Sequence, residues 1–164
     1  MKSIKRRRKE NRTDYQKRMN LLKGDLPRIV FRKTNKYIIS EYIVSDETKD
    51  KIELGITSKS LLKYGWPEKF KGSLKSITAS YLTGFLMGRK IIKEKKETPI
   101  ADFGMIRNIH KSKAFAFLNG LVDARIKMKH DKKTFPEEDR IKGKNLKEDF
   151  SKTFEIIKSK IEKE

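Results

Sequence analysis

The change of apolar period along the chain restricts the fold more than any other feature. Between Arg28 and Thr57 the β-branched and aromatic residues gather in short runs, and beyond Leu74 apolar residues recur every three or four positions. Arg28-Ile29-Val30-Phe31-Arg32-Lys33 and Tyr37 to Val44 read as strands, and the short Thr34-Asn35-Lys36 link makes them a hairpin. Lys51 to Thr57 alternates with period two after the polar Ser45-to-Asp50 turn and predicts a third strand of a meander. Leu74, Ile77, Tyr81, Leu82, Phe85, Leu86 and Ile92 then form one helical stripe, with Ser73 as N-cap and an end near Lys95. Pro99 to Gly104 predicts a fourth strand with a glycine exit, and Ala114, Phe117, Leu118, Leu121 and Val122 mark a second amphipathic helix. This order is that of an α/β domain, and its strand-helix-strand portion allows a right-handed parallel crossover.

Shorter features fill the gaps. Ser58 to Tyr64 reads as a helical turn ending at Gly65, followed by a loop with Trp66, Pro67 and Gly72. Trp66 is either a lid on the core or a base-stacking surface, and packing is the preferred reading. Gly84 and Gly88 resemble a membrane dimer motif, but the flanking Lys75, Arg89 and Lys90 favour close packing of the long helix against a sheet. Lys127 to Gly143 is basic and turn-rich. Leu146, Phe150, Phe154, Ile157 and Ile161 predict a last amphipathic helix from near Asn145, nearly charge-balanced, whose stripe covers either its own domain or a neighbouring protein. The expected organisation is an arm and short helix over 1–25, a core domain over 26–126, a basic segment over 127–144 and the C-terminal helix over 145–164.

Charge speaks to the partner. The first 36 residues hold 14 Lys and Arg against Glu10, Asp14 and Asp25, so about +11 of the net +20 lies in under a quarter of the 164 residues. Interspersed surface charge leaves a small domain with a net magnitude of only about 2 to 8. A pI near 10 with this clustering indicates a phosphate grip independent of sequence, and so a nucleic acid. Residues 1 to 12 have almost no apolar content and are expected to order only on phosphates. From Asp14 a short helix follows, with Tyr15, Met19 and Leu22 at helical spacing, Lys17, Arg18 and Lys23 outside, and Gly24 and Pro27 as stops. The arm cations grip phosphates, while Tyr15, Gln16 and Asn35 offer stacking or amide contacts to bases; Tyr15 reads equally well as a packing anchor.

Enzymatic readings find little support. With no cysteine, thiolate catalysis, disulfides and Cys-ligated zinc are excluded, which is consistent with a reducing intracellular compartment. The charged start lacks the apolar region of a secretory signal, and no apolar run approaches the ~18 residues that span a bilayer. A P-loop, a dinucleotide fingerprint and a Gly-flanked serine are missing. His110 and His130, with Asp102, Asp123 and Asp131 as the nearest acids, make a poor metal set. Asp102 at a strand end could serve a two-metal nuclease, but with no second acid on its strand and face it reads better as a loop-fixing carboxylate. No metal, cofactor, small-molecule substrate or membrane is expected as a partner.

Several blocks in order carry a family resemblance. Arg6-Arg7-Arg8 with Arg12-Thr13-Asp14-Tyr15, Arg28 to Lys36, Lys63-Tyr64-Gly65-Trp66, Ala79 to Leu86, Ala114 to Ala124, and His130 with Phe135-Pro136 resemble the large-subunit ribosomal protein eighteen family in its archaeal and eukaryotic form. The resemblance runs from about Lys5 to Gly143. The chain departs from the family pattern at Asn11-Arg12, where Gly-Lys is usual, at Arg125, where Asp-Ala is usually followed by Gly, and at Lys127-Met128-Lys129, where a more apolar stretch is usual.

The resemblance implies a mixed five-stranded sheet with helices on both faces, ribonuclease-H-like without nuclease chemistry, plus the basic arm and C-terminal helix. It implies a non-enzymatic constituent of the cytoplasmic ribosome that binds 5S rRNA and helps attach it to large-subunit rRNA in the central protuberance, near large-subunit protein five. By position, the RNA contacts implied are Lys5, Arg6, Arg7, Arg8, Lys9, Arg12, Thr13, Tyr15, Gln16, Lys17 and Arg18 of the arm region. The hairpin adds Arg28, Arg32, Lys33, Thr34, Asn35, Lys36 and Tyr37, and the loop from His130 to Gly143 adds His130 and Arg140. Two rivals are an RNA-processing nuclease of the same topology, dependent on Asp102, and a basic protein-interaction adaptor that docks through Phe150 and Phe154.

Overall fold

The β-branched runs form strands close to the expected positions: β1 (Arg28–Lys33), β2 (Ile38–Asp46) and β3 (Lys49–Thr57), paired antiparallel. The structure, a computed structural model, describes residues 3–10, 12–46, 49–145 and 149–163. Asn11 of the arm, positions 47 and 48 of the expected turn, and Leu146 of the C-terminal stripe lie outside the described residues. Thr34 fixes the β1–β2 turn, its hydroxyl accepting from the Tyr37 N–H at 2.9 Å and donating to the Tyr37 carbonyl at 2.8 Å. A bulge at Tyr42/Ile43 leaves Glu53 as the extra residue of β3, and Glu53 pairs with Lys96 at 2.9 Å.

β4 (Ile100–Asp102) runs parallel to β1 at its far edge, giving one mixed sheet in the order β3-β2-β1-β4. Among the described residues there are four strands, not five. The chain after Arg125 adds none: Ile126 is buried at the close of the preceding helix, its N–H donating to the Leu121 carbonyl, and from Lys127 the chain runs without regular structure to a 3₁₀ turn at Lys132–Thr134.

Successive residues of the sheet face opposite ways. Ile29, Phe31, Ile38, Tyr42 and Ile56 enter the core with α3 (Ile77–Lys93) and α4 (Lys113–Asp123). α3 is buried without a break from Thr78 to Gly88, as befits a helix surrounded by other elements. It begins three residues later than the spacing predicts. Ser76 is the N-cap, accepting from the Ala79 N–H at 3.1 Å, while the Ser73 hydroxyl donates to the Phe70 carbonyl at 2.7 Å and Leu74 is buried from the preceding turn.

The glycines of α3 do allow a close approach, but to a helix instead of the sheet. A Cβ on Gly84 would collide with the Phe117 carbonyl of α4, one on Gly88 would meet the Ala124 methyl, and one on Gly120 would strike the Tyr81 carbonyl. The small-residue pair is thus consumed in an intramolecular crossing. Both helices close with the hydrogen-bond pattern of a Schellman motif. In α3 the Lys96 and Lys95 N–H groups donate to Ile91 and Ile92, and in α4 those of Ile126 and Arg125 donate to Leu121 and Val122. The left-handed residues are Lys95 (φ 51°) and Arg125 (φ 73°), so Arg125 occupies the conformation for which glycine is suited.

α5 (Glu138–Lys142) is short and ends at Gly143. α6 (Ser151–Glu162) starts later than expected, with Phe150 already at its N-cap. It packs on its own domain: Phe150 lies 4.8 Å from Trp66 and 5.7 Å from Phe70, and Phe154 lies 5.5 Å from Tyr81. Trp66 is accordingly a core residue, its indole N–H donating to the Phe70 carbonyl at 3.1 Å. Phe150 and Phe154 are both 3% exposed, which removes the surface an adaptor would need.

Candidate nucleic-acid interface

Four basic residues in a row form α1 (Arg6–Lys9), one exposed helical turn where no regular structure was expected. Short contacts hold it. Glu10 sits between Arg6 and Arg12 at 3.7 and 3.3 Å, Arg7 Nε donates to Thr13 Oγ at 2.9 Å, and Lys5 lies 4.6 Å over the Tyr15 ring. A single turn has no stability of its own, so these side-chain contacts hold it, and none of its residues is buried. Asp14 caps α2 (Tyr15–Leu22), accepting from the Gln16 and Lys17 N–H groups at 3.1 Å.

α2 buries no residue, and two of its cations tie it to the sheet. Lys17 Nζ donates to the Gly104 carbonyl at 3.1 Å, and Arg18 pairs with Asp50 at 2.7 Å. Asp50 in turn binds Arg28 at 2.7 Å, Arg28 lies 3.5 Å from Asp102, and Asp102 lies 3.7 Å from Arg32. An ionic ladder therefore crosses the sheet face opposite α3. Burial raises the Asp50 carboxyl, but hydrogen bonds from Arg18, Ser45 and Arg28 outweigh it and hold the group below its ordinary range. Arg28 is 2% exposed, so of the residues expected at the interface it is withdrawn from the surface. Asp102 is engaged by the two arginines and by the Gly104 N–H at 2.8 Å, the loop-fixing role, and no group of metal-ligating side chains occurs among the described residues.

The hairpin tip exposes Lys33, Asn35 and Lys36, with Tyr37 half-buried beneath Lys59 at 4.5 Å. Beside it opens a cleft of about 810 Å³ between the β4 exit and the start of α4. Its cations are Arg12, Arg32, Lys33, Arg107, Lys111, Lys113 and Arg140, and no acid lines it. Apolar side chains make the rest of its wall: Phe31 and Phe103, edge-to-face at 6.0 Å, with Met105, Ile106 and Ile109. Burial, with Lys33 and Lys75 nearby, pushes the Lys113 ammonium below its ordinary value. Ser112 at the N-cap of α4 makes no capping bond, and its shielded hydroxyl has no hydrogen-bond partner among the described residues.

The cleft thus gathers Arg12 from the arm, Arg32 and Lys33 from the hairpin and Arg140 from α5, which lie far apart in sequence. His130 is elsewhere, stacked on Phe135 at 5.2 Å with Nδ1 2.9 Å from the Met128 carbonyl. Arg107, Lys111 and Lys113 escaped the sequence reading, although Lys111-Ser112-Lys113 at the head of an amphipathic helix was the available signal.

Comparison with known proteins defines the class. Residues 1–101 match the family described as "Ribosomal large subunit proteins 60S L5, and 50S L18". Proteins named "Large ribosomal subunit protein uL18" are similar over most of the chain. That of Korarchaeum cryptofilum is 40% identical over 86% of this chain and 70% of its own length. Those of Methanoregula boonei and Methanococcoides burtonii are 35% and 34% identical, over 94% and 95% of this chain and 86% and 91% of their own lengths. The chain belongs to this ribosomal protein family, as a structural member without enzymatic activity.

Proposed function

We propose that the chain is a structural constituent of the large ribosomal subunit that binds 5S rRNA and helps attach it to large-subunit rRNA in the central protuberance, beside large-subunit protein five. The carrying observation is the acid-free cleft in which arm, hairpin and α5 cations meet. Phosphates bind along Lys5 to Arg12 and the rim residues Arg32, Lys33 and Arg140, and Asn35 and Lys36 extend the surface at the hairpin tip. Arg28 acts from inside by holding the ladder that anchors α2. Lys17 and Arg18 combine that anchoring with exposed charge.

The test is binding of the full chain to 5S rRNA and to a structured RNA of equal length at two salt concentrations. A preference for 5S rRNA that survives the higher salt supports shape recognition. Equal binding that collapses with salt would reduce the chain to a general polyanion binder.

A further inference from the structure

We propose that the cleft between β4 and α4 captures one unstacked RNA nucleotide, its base on the apolar wall of Phe103, Ile106 and Ile109 and its phosphate among Lys33, Lys111 and Lys113 at the start of α4. This inference rests on the RNA-binding reading and specifies what part of the RNA the cleft takes. Phosphates alone need no apolar wall, yet Ile109 is 60%, Met105 50% and Ile106 37% exposed here, beside Phe103. Apolar surface alone needs no cations, yet seven surround it without an acid. The neighbouring carboxylates stay outside the cleft lining, where Glu137 is bound to Lys111 at 2.6 Å, Glu10 to Arg12 at 3.3 Å and Asp102 to Arg32 at 3.7 Å.

A nucleotide combines both requirements, a flat apolar face and a phosphate a few ångströms away, and sequence-tolerant capture of extruded bases uses this pairing of stacking surface and basic groove. About 810 Å³ lies within the range of small-ligand sites. At the head of α4 the Lys113 and Ala114 N–H groups lie at the positive end of an 11-residue helix, and the partnerless Ser112 hydroxyl adds a donor for a phosphate oxygen. An acidic peptide with apolar side chains is the competing occupant. The continuity of the rim with the arm through Arg12 and with the hairpin through Lys33 favours RNA.

The experiment measures binding of the full chain to a single-stranded RNA decamer and to an abasic decamer with the same phosphates. It is repeated with the double variant Ile106→Ser/Ile109→Ser, whose exposed side chains leave the core intact. The expected result is binding of the intact decamer about tenfold tighter than the abasic one, with that advantage lost in the variant and abasic binding unchanged. Equal binding of both decamers by the native chain, or an advantage that persists in the variant, would overturn base capture while leaving phosphate binding in place; the cleft would then suit an acidic peptide. Failure to bind either decamer or 5S rRNA would remove the RNA-binding reading itself.

Discussion

Arg28 and Asp50, 22 residues apart in sequence, are joined by a 2.7 Å bond that closes the ladder across the outer face of the sheet. The Arg28 guanidinium also reaches Ser45 at 2.9 Å and Asp102 at 3.5 Å, so β1, β2, β3 and β4 all meet at one buried cation. Removing that cation leaves partly buried carboxylates facing each other. Arg28→Ala is expected to lower the unfolding free energy by about 3 kcal/mol. Chemical denaturation checks this, and a loss under 1 kcal/mol would mean that solvent already screens the ladder.

The same ladder sets an acid response. The folded-state value of Asp50 lies below its unfolded value, so the stability it contributes is present above the ordinary carboxylate range and drains away as pH falls through the depressed value. Unfolding titrations from pH 6 to 2 should show a steeper loss in the native chain than in Asp50→Asn. Parallel curves would show that other carboxylates govern acid unfolding.

The crossing of α3 and α4 is closed by backbone contact. A methyl at Gly120 would meet the Tyr81 carbonyl and lie 2.8 Å from the Phe85 nitrogen, neither of which can rotate aside. Gly120→Ala is expected to cost about 3 kcal/mol or more, whereas Gly72→Ala, with nothing within 4 Å, serves as the neutral control. Similar melting temperatures for the two variants would contradict the close crossing.

Arg125 offers the opposite sign. It is exposed and is the left-handed residue of the Schellman closure of α4, a place where a side chain costs about 1 kcal/mol relative to glycine. Arg125→Gly should raise the melting temperature by about 2–4 °C. A lower melting temperature would mean that the side chain makes a compensating contact.

The legible parts of the molecule were those governed by local period. β1 through β3 follow from runs of β-branched residues, and α4 from its stripe, because burial of one face imposes the spacing directly. The start of α3 was misplaced because Leu74 fits the stripe while packing from a turn, a tertiary effect. Arg28 looked like a surface cation because its carboxylates lie 22 and 74 residues away. Much of the cleft comes from Phe103 to Lys113, a stretch with little period of its own whose cations converge only when β4 returns beside β1. The end of the long helix near Lys95 followed from where its stripe stops, but neither helix end carries the usual glycine signal, so the left-handed conformations of Lys95 and Arg125 were not legible.

The arm makes the last prediction. Residues 1 to 12 carry seven Lys and Arg against Glu10 alone, and among the described residues no acid pairs with Arg8 or Lys9. Each phosphate neutralised releases counterions, so the logarithm of the association constant falls with the logarithm of salt by about 0.7 to 0.9 per contact. If five arm cations reach phosphates, deleting residues 1 to 12 should flatten that slope by about 4 and weaken binding most at low salt. Lys9→Ala should remove only about one contact's share. A truncated chain with the native salt slope would show that the cleft and hairpin supply the phosphate grip without the arm.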